Sequence, residues 1–172
     1  KKVVMALSLA LFILIIGLVF TKNQILQHLI FLAILLIMAY IKRFYLQKLD
    51  KDVIEDTLKK MMIIIVISML IALKFPQYMN DSFITILFFG LLFVILFRIL
   101  DVVFFDKKYN DMISTISVFI FSCLIMYDTN RVVEASKACR VKGVIPNYLD
   151  HVLDMFLNLI NLFSNLSDVL DE

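Results

Sequence analysis

Cysteine is scarce in this chain. The 172 residues include two, Cys123 inside an apolar run and Cys139 in a polar stretch. Two cysteines exclude a disulfide framework, and without CxxC or Cys/His ligand spacing there is no sign of a high-affinity metal site. Charge is missing from long stretches. Nineteen per cent of residues are charged against 62% hydrophobic, and the charges fall in blocks between apolar runs. A soluble domain of this length intersperses them. The apolar runs do not alternate with polar residues, which argues against a β-barrel. No basic cluster is interleaved with aromatics, so nucleic acid finds no support as a partner. No Ser/His/Asp or Cys/His arrangement suggests nucleophilic catalysis, and the chain does not read as an enzyme. Gly and Pro number only 3 and 2. Two of those five, Gly143 and Pro146, fall together ahead of the last helix.

What remains is a series of hydrophobic runs. They predict an all-α fold, a polytopic transmembrane helical bundle of about six spans plus short connecting helices, with the lipid bilayer as its first partner. The expected organisation is a single membrane domain over 1–172. Five apolar spans occupy 1–127, a basic loop or helix 128–147, and an amphipathic last helix 148–170.

Span one covers 3–20 and span two 25–41, joined by a short polar turn that makes them antiparallel neighbours. Lys1-Lys2 before an apolar run resembles a signal peptide, but 3–20 is long for one and lacks a small-x-small cleavage site, so it reads as a retained span. In the polar segment 42–60, Phe44, Tyr45, Leu46 and Leu49 suggest that span two continues into the headgroup region as a helix, and the segment reads as a solvated loop that sets orientation. Span three is short, 61–73, flanked by Lys59, Lys60 and Lys74, which snorkel, and Phe75-Pro76-Gln77-Tyr78 breaks it. Span four is 83–100, with Asn80, Asp81 and Ser82 available as caps. Arg98, in its last turn, either snorkels or forms an ion-pair latch with an acid in the bundle. Span five is 112–127. With six crossings, eleven Lys/Arg fall on one side and six on the other, which puts the N-terminus in the cytosol and leaves the basic stretch after Asp128 on the less basic side.

Chemistry is expected where span five ends on Asp128, because an acid at the edge of hydrocarbon is expensive. The last helix carries Asp150, Asp154, Asn158, Asn161, Asn165 and Asp168 three or four residues apart, one polar stripe on an otherwise apolar helix. The plain alternatives are that Asp128 with Thr129 caps the following helix, and that the polar stripe faces water or a partner helix.

The C-terminal third resembles the Bax inhibitor-1 family over about 116–166. Tyr127-Asp128-Thr129 matches the family's Tyr/Phe-Asp-Thr at the end of the penultimate helix, and Lys137-Ala138-Cys139 matches its Lys-x-Cys. Tyr148, followed by Met155-Phe156-Leu157-Asn158-Leu159-Ile160-Asn161-Leu162-Phe163, matches the last helix. The departures are Asn158 in place of the second aspartate, and six spans where the family usually has seven. The arginine that the family carries in an early span has no assigned counterpart. The Lys-, Ile- and Asn-rich usage resembles versions carried by large DNA viruses.

The resemblance implies a pH-modulated calcium leak in the endoplasmic reticulum or another internal membrane, linked to suppression of cell death, with calcium as the transported ion. Asp128, Asn158, Asp154 and Asn161 would then line the ion path. In the family, two aspartates share one proton; here one carboxylate faces an amide, and Asp154, one turn away, supplies a second carboxylate only if the helix shifts. The competing expectation is a structural protein of a virion membrane that anchors a shell or envelope and has other membrane or capsid proteins as partners.

Overall fold

The computed structural model describes residues 2–21, 23–142 and 148–171. They form six α-helices and one 3-10 turn, and no strand occurs among the described residues. The all-α membrane fold expected from the sequence holds. By length and composition, three helices are able to cross a bilayer, Gln24–Leu46, Asp81–Phe104 and Asn110–Arg140, and a shorter apolar helix covers Ala6–Leu18. Gly143, Pro146 and Asn147, where the sequence puts the break before the last helix, lie outside the described residues. Contacts divide the chain into two compact units, Lys1–Asp50 and Lys51–Glu172.

The first unit is a helical hairpin of α1 (Lys2–Phe20) and α2 (Gln24–Leu46). The Thr21 hydroxyl donates to the Gly17 carbonyl at 2.6 Å and the Gln27 side chain donates to the Thr21 carbonyl at 2.7 Å. Asn23 caps α2 by accepting from the amides of Ile25 and Leu26, which satisfies donors that a helix start leaves open.

The second unit contains α3 (Lys51–Lys74), a 3-10 turn at Pro76–Tyr78, α4 (Asp81–Phe104), α5 (Asn110–Lys142) and α6 (Tyr148–Leu170). Three boundaries differ from the sequence expectation. The segment 42–60 is mostly helical: α2 continues to Leu46, as Phe44, Tyr45 and Leu46 suggest, but α3 already starts at Lys51, well before residue 61. Its charges tolerate a helix because they pair one turn apart: Lys59 on Glu55 and Lys60 on Asp56, each at 2.7 Å. The hydrogen bond and charge of Lys59 hold the Glu55 carboxyl below its usual range.

The second difference is at α4, which runs to Phe104 instead of ending at Leu100. Asn80 caps its start by accepting from the Phe83 amide at 3.0 Å. Asp101 closes its end. The carbonyl of this 2% exposed residue accepts from the Lys107 amide, and its carboxylate accepts from the Tyr109 amide at 3.0 Å. The turn between them places Asp106 and Lys107 at positive φ, 46° and 65°.

The third difference is at α5. It does not stop at Tyr127 but continues through Asp128 to Lys142, so Asp128 and Thr129 cap nothing. The Thr129 hydroxyl donates back to the Ile125 carbonyl one turn earlier, at 2.7 Å.

α5 is the hub of this unit. It packs against α3, α4 and α6, and α3 also touches α6. Fifty-six per cent of its apolar window is buried against 11% for α4, so α4 is the outer helix of the two. Val94 of α4 packs on Ile113 and Ile120 of α5. Phe121 and Ile125 of α5 pack on Leu162 of α6, with Ile64 and Ile65 of α3 against them. Phe88, Phe89 and Phe93 stay exposed on α4, as residues facing lipid do.

Candidate functional site

The site lies on the seam between α5 and α6. Ile125 and Asp128 are one turn apart on α5, so they share its inner face. Ile125 is fully buried and Asp128 is 5% exposed. From α6, Asn158 donates its amide Nδ2–H to Asp128 Oδ2 at 2.6 Å. A buried carboxylate without a donor is costly, and this bond supplies one.

Asp154 sits one turn before Asn158 on the same face of α6. It does not stand free beside Asp128, because Arg131 Nη1, one turn beyond Asp128 on α5, donates to Asp154 Oδ2 at 3.0 Å. The Arg131 guanidinium also lies 5.9 Å from the centre of the Tyr127 ring. These groups line a cleft of about 330 Å³ together with Ile84, Leu124 and Leu157. Its polar side chains are two carboxylates, one amide, one guanidinium and the Tyr127 phenol. Calcium takes six to eight oxygens. Asp128, Asp154 and Asn158 supply part of such a shell, and Arg131 competes for Asp154. Among the described residues, no group of three or more His, Cys, Asp or Glu is placed to hold a metal ion.

Asn161 is half-buried on α6. Its main-chain carbonyl accepts from Asn165 Nδ2 at 2.7 Å, and no bond among the described residues ties its side chain to Asp128. The structure therefore brings Asp128, Asn158, Asp154 and Arg131 together and leaves Asn161 between them and a second cluster.

Arg98 builds that second cluster. Its Nη2 donates to Ser114 Oγ of α5 at 2.8 Å and to Asn165 Oδ1 of α6 at 3.0 Å, and lies 3.8 Å from Asp168 Oδ2. Arg98 thus reaches inward to two neutral acceptors with Asp168 at ion-pair distance, while its side chain stays 38% exposed. The sequence does not single out Arg131 of the first cluster, which stands in a basic stretch, or Ser114 of the second, which stands in an apolar span. The one sequence signal is Ser114 and Ser117, hydroxyls three residues apart and so on one side of α5.

The family model described as inhibitor of apoptosis-promoting Bax1 matches residues 2–172. The chain belongs to the Bax inhibitor-1 family. A relative described as an uncharacterized membrane protein, from Vibrio cholerae serotype O1, is 32% identical over 84 residues. The match covers 49% of this chain and 34% of the relative, so the chain spans about a third of that protein's length. No solved structure matches. Family membership and the apolar helices make this an integral membrane protein. The relative is bacterial, and the likeness of composition to viral versions finds no support in it. Within the Bax inhibitor-1 family motif, Asn158 stands where the second aspartate was expected, and that position meets Asp128 directly.

Proposed function

We propose that this Bax inhibitor-1 family member is a calcium leak of an internal membrane such as the endoplasmic reticulum, modulated by pH and acting to suppress cell death. The observation that carries the reading is the 2.6 Å bond between Asn158 and Asp128, buried in the α5–α6 seam beside a cleft that holds a second carboxylate. An acid kept inside a membrane helix and tied to the neighbouring helix by one hydrogen bond is suited to open when that bond breaks. Calcium is the transported ion, and Asp128, Asp154 and Asn158 are contacts along its way and not a storage site.

The test is flux from calcium-loaded proteoliposomes over a range from acid to mildly alkaline pH. Asn158→Asp converts the single acid into a pair at hydrogen-bond distance. Such a pair shares one proton, so flux should depend more steeply on pH than in the parent protein. Asp128→Asn should remove the pH dependence that the parent shows. Flat, background-level flux for all three proteins rejects the leak and leaves a structural membrane role, which the absence of a second aspartate at Asn158 favours.

A further inference from the structure

The Arg98 cluster lies on the same α5–α6 seam as Asp128, toward the end where α5 starts and α6 finishes. Ser114 and Asp128 are fourteen residues apart on α5, about 21 Å along a helix. The chain thus places one buried polar contact where α5 starts and α6 nears its finish, and another near the middle of both helices, with the apolar packing of Phe121, Ile125 and Leu162 between them.

α4 packs on α5 through Val94, Ile113 and Ile120. A cation in the last turns of a membrane helix would ordinarily turn its head to water. Here the head turns inward, past Ser114, which is fully buried, to Asn165 on α6, which is 5% exposed. One nitrogen, Nη2, makes all three contacts, while the buried Nε has no hydrogen-bond partner. At 3.8 Å the Asp168 contact is an ion pair and not a hydrogen bond. A network that leaves a buried donor unpaired is only partly satisfied.

We infer that Arg98 is a second closure of the seam: it ties α4 to α6 across α5 and keeps that end of the seam shut. If the leak reading above is right, conduction then requires two contacts to open, one at that end and one at mid-seam. The tie itself does not depend on that reading.

Distances between spin labels decide it, with Cys123 and Cys139 replaced by alanine and the full chain in liposomes. One label pair, Val103→Cys with Asp171→Cys, reports the Arg98 end. A second pair, Thr85→Cys with Val152→Cys, reports the Asp128 contact and serves as the check of fold. Arg98→Gln should lengthen or broaden the first distance and leave the second unchanged. Arg98→Lys should give a partial effect. Asp168→Asn, which removes the ion pair and retains both hydrogen bonds, should broaden the first distance less than Arg98→Gln, and it stands in if Arg98→Gln disturbs the second pair. An unchanged first distance in every variant that keeps the second overturns the inference. Calcium flux measured in the same liposomes separates the two readings. A longer first distance with several-fold higher flux supports both. A longer first distance with background flux, in Arg98→Gln and in Asn158→Asp alike, keeps the tie and rejects the leak.

Discussion

At the scale of single residues, the seam is organised by what Asp128 requires. Its carboxylate is buried in α5 and accepts a hydrogen bond from the Asn158 amide. Asn158→Leu keeps the volume and removes the donor, which should cost about 1–3 kcal/mol by leaving a buried acceptor unpaired. Replacing both, Asp128→Leu with Asn158→Leu, should recover most of that loss, because nothing is then left unsatisfied. Thermal unfolding in detergent measures all three. Additive losses would show that the two side chains do not depend on each other. Leu162 offers the apolar counterpart. It is fully buried against Phe121 and Ile125, so Leu162→Ala should cost about 2 kcal/mol, at the low end for a core leucine. Lipid replaces water as the reference for apolar surface, so lost packing contributes more than lost transfer. Phe93→Ala, on the exposed face of α4, should have little effect in the same assay.

At the scale of elements, the helices were legible wherever an apolar run was long, and their ends were not. Charge was read as the end of a helix, and in this chain charge is accommodated inside helices in three ways. Lys59 and Lys60 pair with acids one turn earlier, so α3 extends back to Lys51. Asp101 turns its carboxylate onto the start of the next helix, so α4 extends to Phe104. Asp128 is met by Asn158 from a helix that follows thirty residues later, a partner that local pattern does not display. The Tyr127-Asp128-Thr129 motif and the polar stripe of the last helix pointed to the right pair of helices. The bond of Arg131 to Asp154 was hidden because it joins two helices at a point where each, taken alone, looks like a solvated face. The continuous α5 makes a topological prediction. If α3, α4 and α5 each cross the bilayer, their two outer ends lie on opposite sides. Asp50→Cys should therefore react with an impermeant maleimide from the cytosolic side, where the more basic flank lies, and the native exposed Cys139 from the other. Labelling of both from one side would remove a crossing between them.

At the scale of the whole molecule, both polar clusters and both apolar cores belong to the unit Lys51–Glu172. That unit expressed alone, without Cys123 and Cys139, should keep the α5–α6 pairing. Asp128→Cys and Asn158→Cys should then be joined by a short bifunctional thiol reagent as efficiently as in the full chain, and loss of the product would show that the first fifty residues are needed to hold the seam. The length of α5 has a consequence for the surrounding lipid. Its 33 residues extend about 50 Å, against a hydrocarbon core of about 30 Å, whereas the 24 residues of α4 extend about 36 Å. The two helices meet the bilayer with different mismatch, and membranes of different thickness ask them for different tilts. A thicker bilayer draws more of the Arg131 end of α5 toward the acyl chains, where its pairing with Asp154 counts for more. Lipid chain length is therefore a variable that acts on the seam without altering a single side chain.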